Sequence, residues 1–162
     1  MKIALTLLLA LSGVGFAAQA QDLTGDAARG AKINAACTGC HGISGYKSSF
    51  PEVYHVPAIS GQNAKYIAAA LEAYKKGERK HPTMHAMAQT LTEQDIADLA
   101  AYYSQQGAEL AAASAALPAP SAEVAELLTK GACASCHGEQ FNKPIDGAYP
   151  KLAGQYADYL FA

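Results

Sequence analysis

Apolar residues recur at steps of three and four along several stretches of the chain, and this spacing predicts amphipathic helices. One stretch covers residues 63–76, a second follows Thr92 and a third begins near Ser121. The repeating apolar positions are Tyr66, Ile67, Ala70, Leu71 and Tyr74, then Ile96, Leu99, Ala100 and Tyr103, then Val124, Leu127 and Leu128. The chain contains little of the alternating sequence that strands require. An all-α fold is therefore predicted.

Residues at the ends of these stretches favour helix boundaries. Lys75 and Lys76 suit the C-terminal end of the first helix, and Gly77 is a natural residue to follow it. Thr92 and Asp95 have the spacing of a capping box at the start of the second helix. Local residues therefore predict where the first helix ends and where the second begins.

A further helix is predicted ahead of Cys37, where alanine is frequent and either Thr24 or Asp26 can serve as the N-cap. Gly30 lies inside this helix, although glycine is a weak helix former. It either permits a close crossing with another helix or is simply tolerated. The sequence leaves both interpretations open.

Three segments between the predicted helices have a different composition. Glycine and proline interrupt residues 42–61, which are predicted to form a long loop, and wrapping the edge of a bound group would explain its length. Residues 78–91 are predicted to form a second loop, and residues 109–121 an interdomain linker that is stiffened by prolines. The second loop contains His81, Pro82, Met84, His85 and Met87.

The first 20 residues have the pattern of a secretory signal peptide. Lys2 supplies the basic start, residues 3–16 are apolar, and Ala18 to Ala20 form an A-x-A cleavage site. A membrane anchor is the alternative, but the apolar run is short for a spanning helix. We expect residues 1–20 to be removed on export, which in a bacterium leads to the periplasm. The formal charge of -2 lacks the basic excess of nucleic-acid-binding proteins, so no nucleic-acid partner is expected.

All four cysteines lie in two copies of the pattern C-x-x-C-H, at residues 37–41 and 133–137. This pattern is the attachment signal for c-type haem. Two residues between the cysteines place both sulfurs along one helical turn, where they can reach two vinyl groups on one porphyrin edge. The histidine that follows can then bind the iron as its proximal ligand. The sequence therefore predicts two covalently attached haem c groups.

Three other uses of these cysteines are possible. A redox dithiol would need a thioredoxin-like βαβ context, which is lacking. A zinc site would combine two distant pairs and would leave the histidine after each pair as a coincidence. Two structural disulfides are compatible with an exported protein. Haem attachment explains both histidines, and we prefer it.

The two patterns belong to a longer internal repeat. Each follows a predicted helix and is followed by glycine, and the segment at residues 57–62 corresponds to that at residues 150–155. One duplicated haem domain is therefore predicted, with a first copy at residues 21–108 and a second at residues 122–162. The second copy is expected to be incomplete, because counterparts of the Met84 segment and of the closing helix are missing.

These motifs resemble the class I cytochromes c, and in particular the di-haem cytochrome c4 family. The resemblance includes residues 25–30 ahead of Cys37, both C-x-x-C-H-G segments, residues 91–103 and residues 149–155. It covers essentially all of the chain after the leader. It implies tandem all-α class I cytochrome c domains with histidine and methionine as iron ligands.

The resemblance also assigns roles to individual residues. It implies covalent haem attachment at Cys37, Cys40, Cys133 and Cys136. It implies His41 and Met84 as the ligands of the first iron, with Met87 as the competing methionine, and His137 as a ligand of the second iron. His81 and His85 are interpreted as surface loop histidines. Pro57 and Pro150 match the family's proline whose carbonyl accepts the N–H of the proximal histidine.

The second iron has no evident methionine, because Met1, Met84 and Met87 are the only three in the sequence. Three explanations are open. The sequence is a fragment of a longer family member, the second haem keeps an open position, or another chain supplies the ligand. We expect the first of these.

The resemblance implies a periplasmic carrier of single electrons with no catalytic residues. Its expected partners are redox proteins such as a quinol-oxidising complex, a terminal oxidase or a dehydrogenase, and such partners would allow peripheral association with a membrane. The alternatives are a cytochrome subunit of a dehydrogenase complex and a haem enzyme or ligand binder that uses an open second haem.

Overall fold

A computed structural model describes residues 23–107 and 119–162. Five helices and two short strands occupy the first of these ranges: α1 (Ala27–Ile33), α2 (Ala35–His41), β1 (Lys47–Ser48), β2 (Tyr54–His55), α3 (Ala64–Lys76), α4 (Pro82–Gln89) and α5 (Glu93–Gln105). The second range contains α6 (Ala122–Lys130), α7 (Ala134–His137) and α8 (Ala157–Phe161). The predicted signal peptide and most of the predicted linker lie outside the described residues. None of the helices in the described ranges combines the length and the hydrophobicity that a membrane span requires.

The helix predicted ahead of Cys37 is divided in two at Asn34. Asp26 caps α1 by accepting the backbone N–H groups of Ala28 and Arg29. Asn34 then ends α1 and begins α2, and its carbonyl accepts the N–H of Cys37 at 2.8 Å. The prediction of one continuous helix was therefore wrong. The short helix α2 that follows the break carries the first C-x-x-C-H pattern.

The long loop at residues 42–61 is confirmed, with one small addition. β1 and β2 pair antiparallel within it, Lys47 opposite His55 and Ser48 opposite Tyr54. The loop then returns to the helical core, where the N–H of Gly61 donates to the carbonyl of Tyr103 at 2.8 Å. These two contacts fix the course of a segment that has almost no regular structure.

The second predicted loop, at residues 78–91, was wrong, because α4 forms within it. Pro82 occupies the first turn of α4, where its missing N–H costs nothing and its fixed φ suits a helix. The side chain of His81 caps the helix by accepting the N–H of Met84 at 3.2 Å. Met84 and His85 therefore lie on a helix rather than on a flexible loop.

The core of the first copy lies where α3 and α5 pack together. Its buried residues are Ile67, Leu99, Ala100 and Tyr103. These were predicted from the helical spacing, and the capping box of Thr92 and Asp95 is present as expected. Gly77 ends α3 with a left-handed φ of 73°, as predicted for the residue after that helix.

The crossing of α1 and α5 depends on glycine. A Cβ atom on Gly30 would lie 2.2 Å from the carbonyl oxygen of Asp98 and 2.7 Å from the Cβ of Tyr102. Gly25 faces the same helix, and a Cβ there would lie 2.1 Å from the carbonyl oxygen of Ala97. Of the two interpretations of Gly30, the structure supports the close helix crossing.

Replacing Gly30 with alanine is expected to destabilise the protein by about 1–3 kcal/mol, because the new methyl group overpacks the crossing against backbone that cannot move independently. Gly39 is the matched control. It lies in α2, and an added Cβ would meet nothing within 4 Å. Gly39→Ala should leave stability unchanged or raise it by up to about 1 kcal/mol. Thermal or denaturant unfolding of the two haem-loaded variants measures the difference, and equal stabilities would contradict the close crossing.

A buried carboxylate reinforces this crossing. The Asp98 side chain is fully buried and accepts the backbone N–H of Asp26 at 2.7 Å, the Nε2–H of Gln94 at 2.7 Å and a bond from the Arg29 guanidinium. These bonds, led by the one from Asp26, lower the pKa of Asp98. The hydroxyl of Thr92, its N–H and Arg29 lower the pKa of Asp95 to about 2. Both carboxylates therefore stay charged at neutral pH, and they tie α1 to α5.

Several large apolar side chains of the second copy are exposed. The helix α6 begins after Ser121, as predicted, and the Ser121 side chain caps it. Val124 and Leu127 on that helix are exposed. Phe161, in α8, has 95% of its surface exposed. A groove lined mainly by α6, Ala134 and residues 139–141 has a volume of about 710 Å³.

Candidate functional site

The first C-x-x-C-H pattern lies on α2. Cys37, Cys40 and His41 are all partly buried, whereas Thr38 and Gly39 between the cysteines are exposed. Cys37 also packs against the core of α3 and α5. The helical turn therefore presents the two thiols and the imidazole towards the interior and the intervening residues towards solvent.

The His41 ring is oriented by the long loop. Its Nδ1–H donates to the carbonyl oxygen of Pro57 at 2.9 Å. Among the described residues no protein group bonds to the opposite ring nitrogen, Nε2, which is left available for a metal ion. Burial lowers the pKa of His41, so the ring is held neutral, as a metal ligand must be. A hydrogen bond of this kind fixes the ring orientation and raises the basicity of the ligating nitrogen.

The second copy repeats this geometry. His137 ends α7, and its Nδ1–H donates to the carbonyl oxygen of Pro150 at 2.8 Å. Cys133 and Cys136 are partly buried like their counterparts. Tyr149 stands edge-on to the His137 ring, with 6.2 Å between ring centres. Two equivalent sets of two thiols, one imidazole and one proline carbonyl are therefore present in one chain.

The two methionines of α4 differ in environment. Met84 is partly buried, whereas 36% of the Met87 surface is exposed. The histidines near them have other roles than the surface-loop interpretation gave them. His81 caps the helix, and His85 donates from Nδ1 to the carbonyl of Tyr74 at 2.6 Å. Met84 therefore remains our candidate for the distal ligand.

A buried polar atom beside Cys37 lacks a partner among the described residues, as expected if a further group binds there. The hydroxyl of Tyr103 is buried and has no hydrogen-bond partner in the described part of the chain, and Tyr103 packs beside Cys37. All four cysteines are free, so the alternative of two structural disulfides has no support in the structure. Within residues 23–107 and 119–162, no three histidine, cysteine or acidic side chains converge as a metal-binding cluster. Each pair of cysteines thus lies with its own histidine, and no zinc site joins the two pairs within these ranges.

Contacts between the two copies bring residues together that sequence reasoning left without roles. His55 donates from Nδ1 to the Asp158 carboxylate at 2.7 Å and stacks on Tyr156, with 4.4 Å between ring centres. The hydroxyl of Tyr156 accepts the N–H of Gly45 at 2.8 Å. Lys65 pairs with Asp146 in the other copy at 2.9 Å.

Arg79 joins the copies through tyrosines. Its guanidinium donates to the hydroxyls of Tyr66 at 2.9 Å and Tyr159 at 2.7 Å, and it lies 5.0 Å from the centre of the Tyr74 ring. Burial raises the pKa of Tyr159 to about 12. Nothing in the sequence indicated that one arginine would bind both Tyr66 and Tyr159.

Two glutamines make the most regular contacts across the copies. The Gln155 side chain bonds to the backbone of Ala58, and the Gln62 side chain bonds to the backbone of Lys151. Both glutamines end the repeated segments at residues 57–62 and 150–155. That repetition was the one signal in the sequence that could have drawn attention to them.

Comparison with known proteins identifies the family. A family model described as cytochrome c matches residues 27–106. Cytochrome c4 of Azotobacter vinelandii is 34% identical over 98% of this chain and 78% of the relative. Cytochrome c4 of Pseudomonas aeruginosa is 32% identical over 98% of this chain and 77% of the relative. The chain belongs to the cytochrome c4 family.

Solved structures agree with this assignment. The crystal structure of reduced recombinant cytochrome c4 from Pseudomonas stutzeri has a TM-score of 0.59 and 30% identity, covering 84% of this chain and 76% of that one. The cytochrome c4 structure from Acidithiobacillus ferrooxidans also has a TM-score of 0.59, with 29% identity, covering 78% of this chain and 77% of that one. The predicted class I cytochrome c fold is confirmed. As a member of the cytochrome c4 family, the protein is an electron-transfer cytochrome with covalently bound haem c.

Proposed function

We propose that this cytochrome carries two haem c groups and passes single electrons between redox proteins of the periplasm. The strongest support comes from the hydrogen bonds of the two C-x-x-C-H histidines. Each C-x-x-C-H pattern delivers a histidine whose Nδ1–H is held by a proline carbonyl, at 2.9 Å for His41 and 2.8 Å for His137. The first haem domain would extend over residues 21–108, the linker over residues 109–121 and the second domain over residues 122–162.

Bound haem would supply an iron that alternates between the ferric and ferrous states. The chain's own residues would attach the porphyrin through Cys37 and Cys40, orient His41 through Pro57, and exclude water. In the second copy the corresponding residues are Cys133, Cys136, His137 and Pro150. The positions of these groups need not change when an electron arrives, so little reorganisation accompanies the transfer. A protein can set the reduction potential of its haem partly through the hydrogen bonds that its ligand histidines make.

Met84 is proposed as the second ligand of the first iron, because a methionine opposite a histidine raises the potential. No methionine follows Met87 in the sequence, so the sixth ligand of the second iron is not provided by a methionine of residues 88–162. Peroxidase-like chemistry at that iron would also need a distal acid–base group. His137 is the only histidine in the second copy, and we therefore place electron transfer ahead of catalysis.

The proposed partners are other redox proteins. One relative of Stutzerimonas stutzeri bears the name "Thiosulfate dehydrogenase electron acceptor" and is 29% identical over 78% of this chain and 60% of the relative. Its name favours a second candidate function, in which this cytochrome accepts electrons from a dehydrogenase as a separate protein or a bound subunit. A quinol-oxidising complex and a terminal oxidase are the other partners that we propose, and each allows peripheral contact with the membrane.

Intact mass and the visible spectrum test the proposal directly. The full chain is produced in a host that attaches c-type haem, and we expect a mass that corresponds to loss of residues 1–20 and gain of two haems. The reduced protein should bind carbon monoxide at no more than half of its haem, because Met84 occupies the sixth position of the first iron. A mass without haem would overturn the proposal, and a mass with a single haem would overturn the di-haem part of it.

A further inference from the structure

The contacts of Gln62 and Gln155 are reciprocal. Oε1 of Gln155 accepts the N–H of Ala58 at 3.0 Å, and its Nε2–H donates to the carbonyl of Ala58 at 2.9 Å. Oε1 of Gln62 accepts the N–H of Lys151 at 2.9 Å, and its Nε2–H donates to the carbonyl of Lys151 at 3.0 Å. Each glutamine thus bonds to the residue that precedes the other glutamine by four positions. We call this pair of residues the glutamine bridge.

The glutamine bridge also shows the same local arrangement on both sides. Oε1 of Gln62 accepts the N–H of Asn63 at 3.0 Å, and Oε1 of Gln155 accepts the N–H of Tyr156 at 3.1 Å. Each oxygen therefore holds one N–H of its own copy and one of the opposite copy. Gln62 is 3% exposed, so loss of its partners would leave a buried amide unpaired, which is unfavourable.

The bonded peptide groups are those that orient the candidate iron ligands. The carbonyl of Pro57 and the N–H of Ala58 belong to one peptide group, whose oxygen accepts the His41 Nδ1–H and whose nitrogen donates to Gln155. Likewise, one peptide group joins Pro150 to Lys151. Its oxygen accepts the His137 Nδ1–H and its nitrogen donates to Gln62.

Hydrogen bonds at the two ends of one peptide group strengthen each other. Each bond polarises the group, and condensed-phase estimates put the mutual strengthening at about 10–30% per bond. An acceptor on the N–H side makes the carbonyl oxygen a better acceptor for the imidazole. A stronger bond to Nδ1 raises the basicity of the ligating nitrogen, which favours ferric iron and lowers the potential.

We propose that Gln62 and Gln155 are positioning residues that tune the haem site of the opposite copy. Gln155 acts on His41 through the peptide group of Pro57, and Gln62 acts on His137 through the peptide group of Pro150. The inference rests on the proposed di-haem function. If each glutamine tunes the histidine of the opposite copy, each haem site depends on a residue from the other copy.

The test exchanges each glutamine for methionine, which has a similar length and no amide. Gln155→Met should raise the potential of the first haem and leave the second unchanged, and Gln62→Met should do the reverse. Gln105→Met is the matched control, because Gln105 is exposed at the end of α5 and has no role in the bridge. Spectroelectrochemical titration gives the potentials. Haem NMR signals, assigned with a Met84 variant, show which haem has shifted.

We expect each substitution to shift only the haem of the opposite copy, and this crossed pattern distinguishes the proposal from a role in packing alone. A loosened interface would shift both haems in both variants, or the haem of the substituted copy, and either result would overturn the proposal. The amide proton signal of Ala58 in Gln155→Met, and of Lys151 in Gln62→Met, should move towards that of a weaker hydrogen bond. If a methionine variant does not fold, Gln155→Asn and Gln62→Asn are used instead. Asparagine keeps the amide but is one methylene shorter, so the amide no longer reaches the opposite copy. The same crossed shifts are expected.

The two proposals fail in different ways. If the intact mass of the unsubstituted protein shows no covalent haem, the proposed function fails, whatever the glutamine variants do. With two haems in place and potentials that do not respond to Gln62→Met or Gln155→Met, the proposed function stands and the bridge has no effect on the ligand sets.

Discussion

Replacing Met84 with alanine is expected to leave both haems attached and to convert the first iron from a methionine-ligated site into an open one. The thioether favours ferrous iron, and axial ligands set haem potentials over a range of roughly 0.8 V. Loss of the thioether should therefore lower the first potential by an amount on the order of 0.1–0.3 V. The red charge-transfer band of methionine–iron ligation should disappear, and the ferrous first haem should begin to bind carbon monoxide.

Met87→Ala is the matched control for this change. Met87 lies about one turn further along α4, and its side chain is exposed. This variant should keep the charge-transfer band, the potential and the resistance of the first haem to carbon monoxide. Were Met87→Ala to lose the band while Met84→Ala kept it, our choice of distal ligand would be reversed.

Replacing Cys133 and Cys136 together with alanine is expected to reduce the mass of the mature protein by one haem. Covalent attachment depends on the thiols, and the second copy has no others. The first haem should keep its methionine band, since α2, α4 and Met84 lie wholly in the first copy. Intact mass spectrometry and the visible spectrum measure both outcomes on the same sample.

The complementary variant, Cys37→Ala with Cys40→Ala, controls for damage to the fold. It should also retain a single haem, now in the second copy, and its spectrum should lack the methionine band. The two spectra together should add up to that of the unsubstituted protein. If either double variant still carries two haems, the attachment sites are not those proposed here.

The helices were predictable from sequence where local signals agreed with each other. In α5, the apolar spacing, the Thr92 cap and Asp95 all indicated the same helix, and the structure contains it. In α4, Pro82 and the nearby histidines resembled loop residues, and the helix is too short to show a clear period. Its start depends on the His81 cap, a rare cap type that composition does not reveal. Asn34 likewise interrupts a run of helix-forming residues, and its backbone ψ of 0° is not evident from the sequence.

The candidate site was predictable in part for a similar reason. C-x-x-C-H is a local pattern, and its histidine is carried by the same turn as its cysteines. The bond from His41 to Pro57 spans 16 residues, and only the family resemblance indicated it. The bond from Gln155 to Ala58 spans 97 residues and depends on how two copies pack. No local signal encodes such packing, although the repeated position of the two glutamines was present in the sequence.

The glutamine bridge ends on main-chain atoms, and this has a consequence for how the duplicated halves can diverge. Ala58 is a small buried residue and Lys151 is a long charged one, yet both make the same two bonds. Any residue except proline supplies the N–H and carbonyl that the bridge needs. Mutations at these positions can therefore change the charge of one half and not the other while the halves stay joined. A single gene could in this way acquire two unlike faces for two unlike partners.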